Sequence, residues 1–123
     1  MGSAKKRILV VDDSAFLRNA LHEILRKQGF DVVGTAENGL EAISKYRELK
    51  PDLVTLDIIM PQMNGLEALK LLRAVDPNVA VVMVSSMSSE GSVTDCLKAG
   101  AKNYILKPFD PEKVSAVIEK VLA

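Results

Sequence analysis

The sequence predicts an α/β protein built on one doubly wound parallel sheet. Three observations point there. Five short apolar runs recur at nearly even intervals. An amphipathic stretch of helical period follows each run. Charged and hydroxyl side chains gather where the runs end. Strands alternating with helices at this spacing argue for a parallel sheet covered on both faces.

The runs are ILVV (8–11), DVVGTA (31–36), DLVTL (52–56), VAVVMV (79–84) and NYILK (103–107). Each is rich in Val, Ile and Leu and several are nearly continuous, as strands buried on both faces are. Residues 14–28 place Leu17, Ala20, Leu21, Ile24 and Leu25 on one helical stripe, and Gly29 follows as a stop. Residues 39–49 carry Leu40, Ile43 and Tyr46, and residues 65–75 carry Leu66, Leu69 and Leu72. Residues 90–99 carry Val93, Cys96 and Leu97 before Gly100, and residues 111–122 carry Val114, Val117, Ile118, Val121 and Leu122. Asn38-Gly39, Lys50-Pro51, Asn64-Gly65 and Asp76-Pro77 punctuate the loops. The pattern is (βα)₅, without internal linker, repeat or low-complexity segment. Residues 1–5 read as an N-terminal tail, with Gly2-Ser3 resembling a cloning remnant, and residues 6–123 as a single domain.

Composition narrows the function classes. The chain has 123 residues, of which 48% are hydrophobic, enough for a core and too many for disorder. Lys plus Arg and Asp plus Glu number 16 each, and three Phe, two Tyr and no Trp give no basic, aromatic-interleaved patch for nucleic acid. A single cysteine, Cys96, excludes an intrachain disulfide and fits a reducing, cytoplasmic setting. No apolar stretch approaches the roughly 18 residues that cross a bilayer. MGSAKKR has no apolar signal segment.

Ligands of open parallel sheets bind beyond the carboxyl ends of the strands, where strand order reverses. Asp12 and Asp13 follow strand 1, Asp57 ends strand 3, Ser85 and Ser86 follow strand 4, and Lys107-Pro108 close strand 5. With strand order 2-1-3-4-5 the three aspartates meet at the reversal, with Ser85 and Lys107 beside them. Converging carboxylates need a counter-charge. Hard oxygen ligands suit Mg²⁺, Mn²⁺ or Ca²⁺, and so few protein ligands favour Mg²⁺. Lys107 and the Ser85 hydroxyl can reach phosphoryl oxygens, so the set suits phosphoryl transfer. Asp57, alone at a strand end, is the best candidate nucleophile, and Asp12 and Asp13 are candidate metal holders. The first βα turn has no glycine and two negative charges, which repel a pyrophosphate. No GxxxxGK[ST] occurs.

The set VVDDS, LDIIMPQMNG, MVSS and NYILKPF, in this order and spacing, resembles the receiver domain of bacterial two-component response regulators. The likeness covers residues 6–122 and is greatest to the stand-alone chemotaxis regulators. It implies the flavodoxin-like strand order 2-1-3-4-5, already established for folds of this kind. It implies that Asp57 accepts a phosphoryl group from a phosphohistidine on a sensor histidine kinase. Mg²⁺ would be bound by the side chains of Asp13 and Asp57 and the backbone carbonyl of Ile59, with Asp12 acting mainly through water. Ser85 would be the switch hydroxyl, Lys107 a second phosphoryl contact, and Tyr104 the aromatic switch residue whose ring turns inward. The Lys107-Pro108 peptide would be cis. The readout would be the surface of helix 4, strand 5 and helix 5, with Ala99, Lys102, Tyr104 and Glu112 as candidate contacts of a downstream protein. A cytoplasmic monomer is expected. Ile59 and Met87, two residues beyond Asp57 and Ser85, are apolar, and slow self-dephosphorylation is expected from them.

Each feature has a plainer reading. Asp13 or Ser14 could only cap a helix, Asp57 end a strand, Ser85 and Ser86 belong to a loop, and Lys107-Pro108 stop a strand. Agreement among all of them outweighs these readings. His22 is expected at the surface and Cys96 in the core. Met60, Met63, Met83 and Met87 are expected to pack, with Met60 and Met63 near the rim of the site. Two alternatives carry weight. One is the receiver of a larger regulator, either DNA-binding or like the chemotaxis methylesterases that MVSSM resembles. The other is a Mg²⁺-dependent phosphohydrolase, which in its common form needs a second acid at position 59, where Ile59 stands.

Overall fold

The computed structural model describes residues 5–87 and 90–123, so residues 1–4 of the expected tail lie outside the described residues. Among the described residues ten elements alternate: β1 (Arg7–Val11), α1 (Ala15–Lys27), β2 (Asp31–Ala36), α2 (Gly39–Leu49), β3 (Leu53–Leu56), α3 (Gly65–Val75), β4 (Val81–Ser85), α4 (Glu90–Lys98), β5 (Asn103–Leu106) and α5 (Pro111–Leu122). The five strands are parallel, in the order β2-β1-β3-β4-β5. Strand order therefore reverses between β1 and β3, as expected.

Strand parity divides the core in two. Leu9, Val11, Val54, Leu56, Val81 and Met83 face α2, α3 and α4, where they meet Ala42, Leu69, Leu72 and Cys96. Ile8, Val10, Leu53, Val82, Val84 and Ile105 face α1 and α5, where they meet Leu21, Leu25, Val114 and Ile118. Side chains alternate between faces along a strand, so a sheet covered on both sides needs the unbroken apolar runs seen here. The edge strand β2 departs from that pattern. Only Ala36 of its six residues is fully buried, because one edge of β2 has no neighbouring strand.

Local signals set the helix ends. Ser14 caps α1 by accepting from the Leu17 amide, so Ser14, not Asp13, is the cap. Asn38 caps α2 and Asp110 caps α5, with Pro111 at its first turn. Asn64 and Glu67 close a reciprocal capping box on α3. Gly29 and Gly100 take φ values of 92° and 111° just past α1 and α4, a region that favours glycine. The Lys107-Pro108 peptide is cis.

Several expectations shift. β4 begins at Val81, not Val79, because the Val79 amide bonds back to the Asp76 carbonyl in the Asp76-Pro77 turn. It then extends through Ser85, which pairs with Leu106 and is completely buried as a strand residue rather than a loop residue. β5 stops at Leu106, and Lys107 lies just beyond it. Leu40, expected on the inner stripe of α2, is 57% exposed, and Ala42 and Tyr46 fill the core instead. Leu97 is likewise exposed while Cys96 is buried. His22 is half-buried. Ile105→Ala should cost about 2–5 kcal/mol of stability, whereas Leu40→Ala should stay within about 0.5 kcal/mol. Urea unfolding of both variants checks this placement of the core.

Candidate functional site

Two chain segments deliver three acids to one spot. Asp12 follows β1, and its amide donates to the Ala36 carbonyl at 3.0 Å. Asp57 follows β3, and its amide donates to the Val11 carbonyl at 3.1 Å. The ladders thus run one residue past the strands and fix both backbones. Asp12 and Asp57 are each 5% exposed, while Asp13 faces solvent. One carboxylate oxygen from each of Asp12, Asp13 and Asp57 lies within 4.8 Å of the others.

Lys107 reaches into this cluster from the end of β5. Its Nζ donates to Asp12 Oδ2 at 2.6 Å and to Asp57 Oδ2 at 2.8 Å. Burial alone would lower the Lys107 pKa. The two carboxylates outweigh it and hold the ammonium above its ordinary value. The remaining oxygens are oriented by the backbone: Asp12 Oδ1 accepts from the Ser14 amide at 2.9 Å and Asp57 Oδ1 from the Ile59 amide at 3.3 Å. The Ile59 side chain is 56% exposed at the rim.

The donor set fits a hard divalent cation. All three side chains offer carboxylate oxygens, two of them nearly buried and the third open to solvent. The ammonium bridging two of these carboxylates marks a place where positive charge is required.

Ser85 and Tyr104 form a second group beside the first. The Ser85 hydroxyl accepts from the Met87 amide at 3.4 Å, and the Tyr104 hydroxyl donates to the Met87 carbonyl at 2.5 Å. The Tyr104 ring is half-buried and packs against the α2–α4 side of the core. Burial pushes the Tyr104 phenol up, against a smaller opposite pull from the Ser85 hydroxyl. The structure therefore unites Asp12, Asp13, Asp57 and Lys107. Ser85 and Tyr104 instead converge on Met87. Met60 is buried and Met63 half-buried.

Two supporting residues escape a reading of the sequence. Arg18, one turn into α1, donates Nη1 to the Asp12 carbonyl at 2.7 Å. Gly65 lies against the backbone of the nucleophile candidate, and a Cβ there would stand 2.0 Å from the Asp57 carbonyl oxygen and 2.7 Å from Ile58 Cα. Its amide donates to the Ile58 carbonyl at 2.7 Å. Asn64-Gly65 reads as a turn signal, but the need for glycine arises from this close approach.

A family model described as the response regulator receiver domain matches residues 8–119. The chain belongs to the response regulator receiver domain family. It is similar to the chemotaxis protein CheY of Thermotoga maritima, 49% identical over 94% of this chain and 97% of the relative. It is 48% identical to CheY of Bacillus subtilis, over 94% of this chain and 97% of the relative. Among solved structures, it resembles the CheX–CheY–BeF₃–Mg²⁺ complex from Borrelia burgdorferi with a TM-score of 0.94 and 40% identity, over 96% of this chain and 90% of that one. A receiver domain of the CheY type is a signalling domain, not a conventional enzyme. Among the described residues, no helix is long and apolar enough to cross a membrane.

Gly65→Ala must push backbone against backbone. It should cost about 1–3 kcal/mol in urea unfolding and shift the amide resonances of Asp57 and Ile58. An alanine variant with unchanged stability and resonances would contradict the close approach.

Proposed function

We propose that this chain is a phosphorylation-controlled switch of chemotaxis, with Asp57 as phosphoacceptor. The observation that carries the reading is the Lys107 ammonium held between Asp12 and Asp57 at the carboxyl edge of the sheet. An Asp57 oxygen would attack the phosphorus of a phosphohistidine on a sensor kinase of the CheA type. The new O–P bond forms as the P–N bond breaks, and the imidazole leaves with a proton. Asp13 and Asp57, with the Ile59 carbonyl, would hold Mg²⁺, and Asp12 would act through water. The ion would supply charge neutralisation at the phosphoryl oxygens. The Borrelia relative was solved with BeF₃ and Mg²⁺, and BeF₃⁻ has the shape and charge of a phosphoryl group.

Phosphorylation adds about 1.5 to 2 negative charges. Lys107 would turn from the Asp57 carboxylate to a phosphoryl oxygen, and Ser85 would donate to another. Movement of Ser85 pulls on Met87, whose carbonyl is the anchor of Tyr104. The change would be read on the face of α4, β5 and α5 by a partner protein contacting residues such as Ala99, Lys102, Tyr104 and Glu112. A monomer working in the cytoplasm completes the reading. An aspartate-based hydrolase lacks its second acid, since Ile59 occupies that position.

Intact mass spectrometry after incubation with Mg²⁺ and a small phosphodonor should show a labile phosphoryl adduct. The adduct should be absent in Asp57→Asn and in chelator, and it should decay slowly because Ile59 and Met87 flank the site. An adduct that survives Asp57→Asn overturns the reading.

Lys107→Ala removes the charge that now pairs with Asp12 and Asp57. It should bind Mg²⁺ more tightly than the parent in a calorimetric titration while forming the adduct at least about tenfold more slowly. Weaker Mg²⁺ binding would mean that the lysine does not compete for those oxygens.

A further inference from the structure

Among the described residues, Thr55 is the fully buried polar residue that lies in the core without belonging to the site. It sits in the middle of β3, 1% exposed, paired in register with Val10 on β1 and Val82 on β4. Val10 and Val82 both point into the α1–α5 core, and strand parity sends Thr55 the same way. Its Oγ1 is buried with no hydrogen-bond partner among the described residues. A buried hydroxyl without a partner is costly, and valine would fill the same shape without that cost. The neighbouring strands use valine in this row.

The position of Thr55 explains the hydroxyl. It lies two residues before Asp57 on one strand, so the two Cα atoms are about 6.6 Å apart at ~3.3 Å per residue. Parity puts the Asp57 carboxylate above it on the same face, and Lys107 arrives there two residues beyond Ile105, which also points into that core. An ammonium has three N–H donors. Lys107 uses two, on Asp12 and Asp57, and the third has no acceptor among the described residues. One unmatched donor therefore lies one pleat above one unmatched hydroxyl. No direct bond joins them, and a single bridging water, which needs two or more polar partners, would satisfy both.

We infer that Thr55 is a positioning residue for phosphoryl transfer, joined to the Lys107 ammonium through one buried water. The ammonium donates to the water and the water donates to Thr55 Oγ1. This link fixes the height of Nζ above the sheet, level with the Asp57 oxygen that receives the phosphoryl group. The inference deepens the phosphoacceptor reading and rests on it.

The test compares Thr55→Val and Thr55→Ser in the intact protein with Mg²⁺ and a small phosphodonor, alone and combined with Lys107→Ala. Thr55→Val should slow adduct formation about tenfold, with no gain in urea midpoint, while Thr55→Ser retains the parental rate. With Lys107→Ala present, Thr55→Val should cause no further slowing, because Thr55 acts through that lysine. A valine variant that reacts like the parent overturns the inference, as does a serine variant as slow as valine or a full extra loss in the Lys107→Ala background. Should the valine variant not fold, alanine against serine makes the same comparison. A parent protein that forms no adduct on Asp57 overturns the phosphoacceptor reading and this inference together. Failure of the Thr55 variants alone leaves that reading standing.

Discussion

The ammonium of Lys107, placed between two nearly buried carboxylates, is the contact on which the functional end of this molecule depends. Asp12 and Asp57 arrive from adjacent strands, and each would repel the other and Asp13 without a cation. The ion pair is local in space and remote in sequence, since Lys107 is 95 residues from Asp12 and 50 from Asp57. Every strand between them must be in register for the three atoms to meet. The charge is also replaceable: what a lysine neutralises, a divalent ion can neutralise.

Strand parity turns one edge of a sheet into two cooperating groups. Asp12, Asp57 and Lys107 extend the rows that fill the α1–α5 core, while Tyr104 packs with the α2–α4 core. The acids and the lysine thus lie over one layer and Tyr104 lies in the other. The β4–α4 connection joins them through Met87, which gives its amide to Ser85 and takes the Tyr104 hydroxyl on its carbonyl. Ser85 and Tyr104 are thus linked through a single residue.

Precision at the site comes from backbone fixtures. Arg18 grips the carbonyl of Asp12, the Ser14 and Ile59 amides orient the two carboxylates, and Gly65 lets α3 start against the Asp57 carbonyl. The Asn64–Glu67 capping box fixes where that helix begins. A loop carrying an exposed Ile59 is therefore anchored at both ends, at Asp57 and at Gly65.

The sequence by itself determined the alternation of elements, the strand order through family likeness, and the residue types at the strand ends. These were legible because apolar period, helix caps and turn residues are properties of neighbouring positions. It misplaced Leu40 and Leu97, because helical period marks an apolar stripe without saying how far the sheet extends beneath it. It ended strand 4 at Val84, because the apolar run stops there and the pairing of Ser85 with Leu106 is not visible in sequence. It read Asn64-Gly65 as punctuation and missed Arg18 and Thr55. Only the tertiary structure decided those, since the meaning of each depends on a backbone or side chain brought to it from elsewhere in the chain: the Asp57 carbonyl for Gly65, the Asp12 carbonyl for Arg18, and the Lys107 ammonium above the buried Thr55 hydroxyl.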